Sequence, residues 1–502
     1  MSSKMSTFTT FILLLLLAII VSNNINNVTS NQDVLINNKV VRVLSAMKWA
    51  KGTLKGQLLL SKEAEDQSYN ECVKLYEETE PRLARLVVFG GDNHKYNYSH
   101  DDAITWLSAA LASHRSCLDG LKEKSLATFI VSRNEETQNL TLLLKDALFH
   151  YRQLSTHTRT VTGEQLIPIS SNKEGKGLLA SWNAATSKPD IVVALDGSGN
   201  YKTINDAVAA LSSMTRSERT VVYVKSGTYR ENVEIGKGLD NLMFVGDGID
   251  KTIVTGSKNV PDGATTLNSA TFGVSADGFW ARDMTFENTA GPHKHQAVAL
   301  RVSSDLSIFY RCSFKGYQDT LLVHSLRQFY RDCHIYGTID FIFGDASAVF
   351  QNCDIFVKRP MDSQSNMITA QGRDDSNENT GIVILNSQVS SSSEFTAVKD
   401  SFKNYLGRPW KKYSRTVFIK TDLDGLIDPK GWKEWSGDFA LSTLYYAEYM
   451  NTGSGANTGN RVNWPGFHVL HDANEASQFT VRNFIQGESW IPASGVPYWA
   501  GI

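Results

Sequence analysis

FYRCSFKG begins at Phe309, FYRDCHIYG at Phe329 and FQNCDIFV at Phe350. The three phenylalanines are 20 and 21 residues apart, and Cys312, Cys333 and Cys353 follow in step, 21 and 20 apart. A period near 20, made of short β-branched and aromatic runs without helical spacing, predicts a solenoid that completes one turn per repeat. A right-handed parallel β-helix is the form expected, with successive coils stacked at the strand–strand distance of about 4.8 Å. A leucine-rich repeat is the competing reading, but its Leu/Asn pattern is missing.

The same texture extends outward from about Asp190 to the end of the chain. Val221–Val224, Asn241–Val245 and Thr380–Leu385 are short strand-like runs punctuated by Gly, Asp and Asn. Before Asp190 the texture changes. Over about 37–155 apolar residues recur at helical spacing, as in Val40, Val41, Val43, Leu44 and Met47 and again in Ala103, Ile104, Leu107 and Leu111. Segments at about 37–60, 64–90, 100–124 and 134–154, separated by short polar turns, predict an all-α four-helix bundle. Residues 156–188 are rich in Thr, Ser, Gly and Lys with little periodicity, and are expected to be a linker.

At the N-terminus, Phe11–Val21 is continuously apolar, with Lys4 before it and a Ser/Asn-rich stretch after it. Eleven residues are too few to span a bilayer, which takes about 20. Residues 1–22 therefore have the shape of a secretory signal, with a short membrane anchor as the alternative. Glycosylation triplets at Asn27, Asn97 and Asn139 agree with secretion. Five cysteines in no CxxC or Cys/His cluster argue against a zinc site, and in a secreted chain they leave one thiol unpaired. Cys72 and Cys117 fall in adjacent helical segments, where a disulfide is plausible. The net charge of −2 over 502 residues gives no pull toward nucleic acid or membrane. From Asp190 onward 29 Lys+Arg stand against 34 Asp+Glu, so this part is slightly acidic.

The repeat also orders the polar residues. Asp319 and Asp340 are 21 apart, and Gln296 and Gln318 are 22 apart. In a solenoid of this period both carboxylates lie on one face in successive coils. Two carboxylates about 5 Å apart cannot both ionise cheaply, so one stays charged as a nucleophile and the other keeps its proton as a general acid. The glutamine amides beside them suit an oxyanion. Stacked Asp ladders and turn caps are the bland alternative for such a pair.

From about Asp190 to Ile502 the chain resembles the pectin methylesterase (pectinesterase) catalytic domain. The resemblance rests on GTYRE at Gly227–Glu231, QAVAL at Gln296–Leu300, GYQDTL at Gly316–Leu321, GTIDFIFG at Gly337–Gly344 and LGRPW at Leu406–Trp410, all in order. Residues 37–155 resemble the inhibitor domain that precedes this enzyme in plants, through NECVKLYEE around Cys72 and TWLSAAL with CLDGL up to Cys117. The resemblance implies hydrolysis of the methyl esters of homogalacturonan with Asp340 as nucleophile and Asp319 as acid/base. Gln318 and Gln296 would hold the oxyanion, and Arg408 would pair with Asp340. Trp410 is implied as a sugar platform, with Gln296, Arg408, Thr266 and Phe343 as further substrate contacts. It also implies a Cys333–Cys353 disulfide with Cys312 free, and no metal or cofactor. A secreted, cell-wall monomer without nucleic-acid partner or stable membrane insertion is expected, whose helical domain is a possible intramolecular inhibitor.

The chain departs from the family pattern at several points. The N-terminal cysteine pair of the inhibitor domain is missing between Ser22 and Lys39. The dibasic processing signal is replaced by Gly175-Lys176-Gly177-Leu178-Leu179. Leu322 stands where an aromatic is common, and Asp345 where Asn is common. Two other classes were weighed. A pectin lyase or polygalacturonase needs a calcium cluster or several close Asp residues, which this sequence lacks. A non-catalytic wall protein would not need Asp340, Asp319, Gln318 and Arg408 together.

Overall fold

The computed structural model describes residues 35–59, 63–87, 98–123, 134–158, 177–216 and 219–502. The apolar stretch at 11–21, the triplets at Asn27 and Asn97 and most of the expected linker lie outside these residues.

From Ile191 to Val469 short strands follow one another around a right-handed parallel β-helix. They form three walls of eleven, seven and eight strands, and each strand pairs in parallel with its counterparts one coil away. The repeat settles the register in a way that the phenylalanines alone would misplace. Phe309 stands beside Tyr330, and Tyr330 beside Phe350, so the period of the core is that of the cysteines. These three rings stack inside the coil with centroids 5.0 and 4.4 Å apart. Phe329, one residue earlier, points to the other side of the wall, because side chains alternate along a strand and a one-residue slip reverses the face. There it joins an outer apolar layer with Val349 and Trp490.

Cys312, Cys333 and Cys353 lie in one buried file and all three are free thiols. The Cys333–Cys353 disulfide implied by the resemblance is therefore not formed. Each sulfur already has a partner in the backbone. Cys333 donates to the carbonyls of Phe309 and Arg331, and Cys353 to those of Tyr330 and Gln351. The thiols thus serve as small core members. Burial pushes the Cys312 thiol up to about 12, which keeps it protonated and inert.

The N-terminal domain consists of four described helices, α1 (residues 35–58), α2 (Glu63–Ala84), α3 (His100–Glu123) and α4 (Asn134–Thr158). The central helix α3 packs on α2 and α4. The Cys72–Cys117 disulfide ties α2 to α3 across a separation of 45 residues. Asp101 and Asp102 sit in the first turn of α3, where the helix dipole favours negative charge. Asn139, in the third glycosylation triplet, is an exposed residue of α4.

The last part of the stretch expected as linker is held against the β-helix. Leu178–Ser181 forms a single helical turn, and Leu179 is buried in the outer apolar layer. The Arg282 guanidinium donates to the carbonyls of Leu179, Ala180 and Trp182.

The two domains share one apolar cluster. It runs from Leu107 and Leu111 of α3 into Leu267, Val298, Leu322, Leu326, Phe343 and Ala370 on the outside of the seven-stranded wall. The helical domain thus lies on the face that carries the paired carboxylates.

Candidate active site

Two strands of the seven-stranded wall, Leu321–Val323 and Ile342–Gly344, pair with Leu321 beside Ile342. Asp319 and Asp340 each stand two residues before these partners, so the ladder sets them on one face in adjacent coils. The backbone N–H of Asp319 donates to the Ile339 carbonyl at 3.0 Å, which locks the two corners together. Both aspartates have left-handed backbone, φ 63° and 52°. Such conformations are uncommon for non-glycine residues, with Asp among the more tolerant, and they recur at functional sites.

Arg408 follows the strand Asn404–Gly407 directly. Its guanidinium grips Asp340 with both arms, Nε to Oδ1 at 2.8 Å and Nη2 to Oδ2 at 2.6 Å. This planar fork fixes the carboxylate and favours its charge. Burial raises the carboxyls of both Asp340 and Asp319, but the opposing influences differ. For Asp340 the hydrogen bonds and charge of Arg408 pull back toward ionisation. For Asp319 burial and the charge of Asp340 add, and it is pushed well above the usual carboxylate range. The two carboxyls are therefore unlike: Asp340 is the more readily ionised and Asp319 the more firmly protonated.

Gln296, Gln318, Thr266, Phe343 and Trp410 line the same cavity as the two aspartates and Arg408. The cavity measures about 290 Å³. Gln318 is one residue before Asp319. Gln296 is one position out of register with it, because Leu300 pairs with Leu321 and the ladder step is 21 rather than 22. The rings of Phe343 and Trp410 meet edge to face with centroids 6.0 Å apart. Phe343 is buried in the apolar cluster shared with the helices.

Sequence reasoning missed Trp435. Its ring lies over the Arg408 guanidinium, 4.3 Å from centroid to Cζ. It lies in an irregular segment between the strands Asp422–Leu423 and Tyr445–Tyr449, so no periodic signal marked it. The cavity is also walled by α3 and α2, through Arg115, Ser116, Asp119, Gly120, Glu123 and Glu71. Thr266 gives both its N–H and its hydroxyl to the Glu123 carboxylate, at 3.2 and 3.1 Å, and Lys411 pairs with Asp119 at 3.0 Å. Leu322 and Asp345, the departures noted within the repeat region, both face the helical domain. Leu322 packs in the shared apolar cluster, and Asp345 accepts from Arg115.

Comparison with known proteins agrees with this geometry. The Pectinesterase family profile matches residues 190–488, and the profile for the plant invertase/pectin methylesterase inhibitor matches residues 20–149. The chain is 58% identical over 460 residues to probable pectinesterase/pectinesterase inhibitor 36 of Arabidopsis thaliana, covering 86% of this chain and 87% of the relative. It is 51% identical over 440 residues to pectinesterase 2 of Citrus sinensis, covering 88% and 83%. Among solved structures, pectin methylesterase from carrot superposes with a TM-score of 0.62 at 54% identity, covering 64% of this chain and all of that one. The structure from Aspergillus niger gives 0.52 at 33% identity, covering 61% and 97%. A profile that spans the whole β-helix, and relatives this similar across both domains, establish that the chain belongs to the pectinesterase family.

Proposed function

We propose that the chain hydrolyses the methyl esters of homogalacturonan through a covalent intermediate on Asp340, releasing methanol and leaving pectate. The single observation that carries this reading is the buried carboxylate pair in which one member is forked by an arginine and the other is not. The ionised Asp340 attacks the ester carbonyl carbon. The tetrahedral oxyanion accepts from the side-chain amide of Gln318, with Gln296 assisting. Asp319 gives its proton to the methoxy oxygen and methanol leaves. The resulting acid anhydride joins Asp340 to the galacturonosyl carboxyl carbon. Asp319, now a carboxylate, takes a proton from water, and the hydroxide attacks that carbon and frees Asp340. Trp410 would offer a ring face to a sugar, and Thr266 and Phe343, which line the same cavity, would be further contacts once the helical domain has left them.

The helical domain is read as an intramolecular cover of this cleft, since α3 and the residues after Cys117 wall the cavity over the aspartates. Secretion to the cell wall fits the leader-like residues 11–21 and the exposed Asn139 triplet, and a single chain completes the site, as expected for a monomer. Methanol release from esterified pectin, without shortening of the polymer, is the test. Chain cleavage, or equal methanol release by an Asp340→Asn protein, would contradict the proposal.

A further inference from the structure

One arginine of α3 is inserted into the wall beside the cleft. Arg115 Nη2 donates to Asp345 Oδ2 and, at 2.8 Å, to Glu378 Oε1. Its Nη1 lies 3.5 Å from Glu378 Oε2 and 3.7 Å from Asp374 Oδ2. Both main acceptors are held by their own domain. Asp345 Oδ1 accepts from Gln371 Nε2 at 3.2 Å and Thr380 Oγ1 at 2.5 Å. Glu378 Oε2 accepts the backbone N–H groups of Asp374 and Asp375 at 2.9 and 2.8 Å. The β-helix thus fixes a carboxylate socket before the arginine arrives.

The socket depends on that arginine. Glu378 is fully buried and Asp345 is 5% exposed. Among the described residues no other Lys or Arg side chain pairs with either carboxylate. Arg373 and Arg415 reach only the backbone carbonyl of Glu378. Burial lifts the Glu378 carboxyl to about 8; Arg115 opposes the rise and the charge of Asp345 adds to it. With Glu378 holding its proton the buried pair still carries one negative charge, which one cation balances, and the guanidinium reaches both carboxyl groups. On the same face of α3, Ser116 Oγ lies 2.8 Å from His324 Nε2 and Asp119 pairs with Lys411. Asp102 with Arg327 and Glu123 with Thr266 are further polar contacts of this helix, and Arg115 is the residue whose guanidinium faces three carboxyl groups, Asp345, Glu378 and Asp374.

We propose that the Asp345–Glu378 socket determines which covering domain this catalytic domain accepts. It takes a helix with arginine at the position of Arg115, as this chain's own α3 has, and rejects one with a neutral or acidic residue there. The inference rests on the covering role given above and names the residues that select the cover. Selectivity arises because a helix without the guanidinium would leave the negative charge of this buried pair without a counter-ion.

A protease recognition site placed within residues 159–176 lets the whole chain be nicked between its domains. The nicked wild-type protein is expected to remain associated in gel filtration. Arg115→Ala should weaken that association by about a hundredfold. Asp345→Asn should weaken it too, and the double variant should be no weaker than the worse single one, since both remove the same contact. Arg115→Lys, which keeps the charge without the fork, should fall in between. Undiminished retention of Arg115→Ala, or losses that simply add, would overturn the proposal. Should Arg115→Ala lose its helical signal in circular dichroism, the cycle is read with Arg115→Lys, where retention equal to wild type is the contrary result. The covering role is tested separately: methanol release should be faster from nicked wild-type protein with its domains parted in salt than from the intact chain at the same salt. Equal rates would remove the covering role, while the socket would still be judged by retention.

Discussion

Two neighbouring acids differ in the company they keep. Asp340 has the Arg408 fork and Asp319 has none, and the proposed division into nucleophile and acid rests on that difference. Asp340→Asn should lower methanol release by on the order of 10⁴-fold. Asp319→Asn should lower it by about 10²–10⁴-fold, the usual range for a general acid. Gln318→Ala should cost about 10²–10³-fold in kcat with little change in KM, as expected of an oxyanion donor. Arg408 makes a signed prediction about pH. Asp340 must be ionised, so activity is lost as pH falls through its pKa. Removing the guanidinium leaves burial unopposed and raises that pKa. The acid limb of kcat/KM in Arg408→Ala should therefore move to higher pH. An unmoved limb would mean that Arg408 does not set the charge of Asp340.

Elements show how much of this was legible in the sequence. The coil period could be read from Cys312, Cys333 and Cys353, and it placed Asp319 and Asp340 on one face. The phenylalanine spacing pointed one residue astray, because Phe329 belongs to the outer layer while Tyr330 takes the stacked place. Periodicity marks a strand's faces only when neighbours of both parities are compared. The Cys333–Cys353 bond could not be judged from spacing, since stacked thiols are equally well satisfied by the carbonyls of the coil before. Trp435 and the polar contacts of α3 escaped because they come from irregular or distant segments. Within the helical domain, the single disulfide closes 45 residues, and in the chain-entropy view that is worth about 4 kcal/mol. A Cys72→Ala, Cys117→Ala protein should lose about 2–4 kcal/mol of helical-domain stability in denaturant. Stability equal to wild type would show that the missing N-terminal pair left the bundle independent of its remaining bridge.

At the scale of the whole molecule, two domains joined through one apolar cluster meet over a cleft lined with buried acids. Glu71 of α2 is buried there. It accepts from Thr265, and burial raises its carboxyl from 4.5 to about 7. The folded chain therefore holds a proton on Glu71 that the unfolded chain has already released. That contribution to stability is full below about pH 4.5 and is lost as pH rises through about 7. Glu378 extends the same trend to about 8. Thermal stability of the intact chain should fall across this window, and Glu71→Gln should flatten the fall. A variant with an unchanged slope would place the dependence elsewhere.

All of these readings start from a β-helix whose winding hands one aspartate to an arginine. The most direct measurement is chemical trapping: the protein with its cleft open, turning over methyl-esterified oligogalacturonide, is quenched with borohydride and mapped by mass spectrometry. Reduction of an acid anhydride at Asp340 should convert that residue alone to homoserine, with none in Asp340→Asn. Homoserine at another carboxylate, or none at all while methanol continues to be released, would contradict the account.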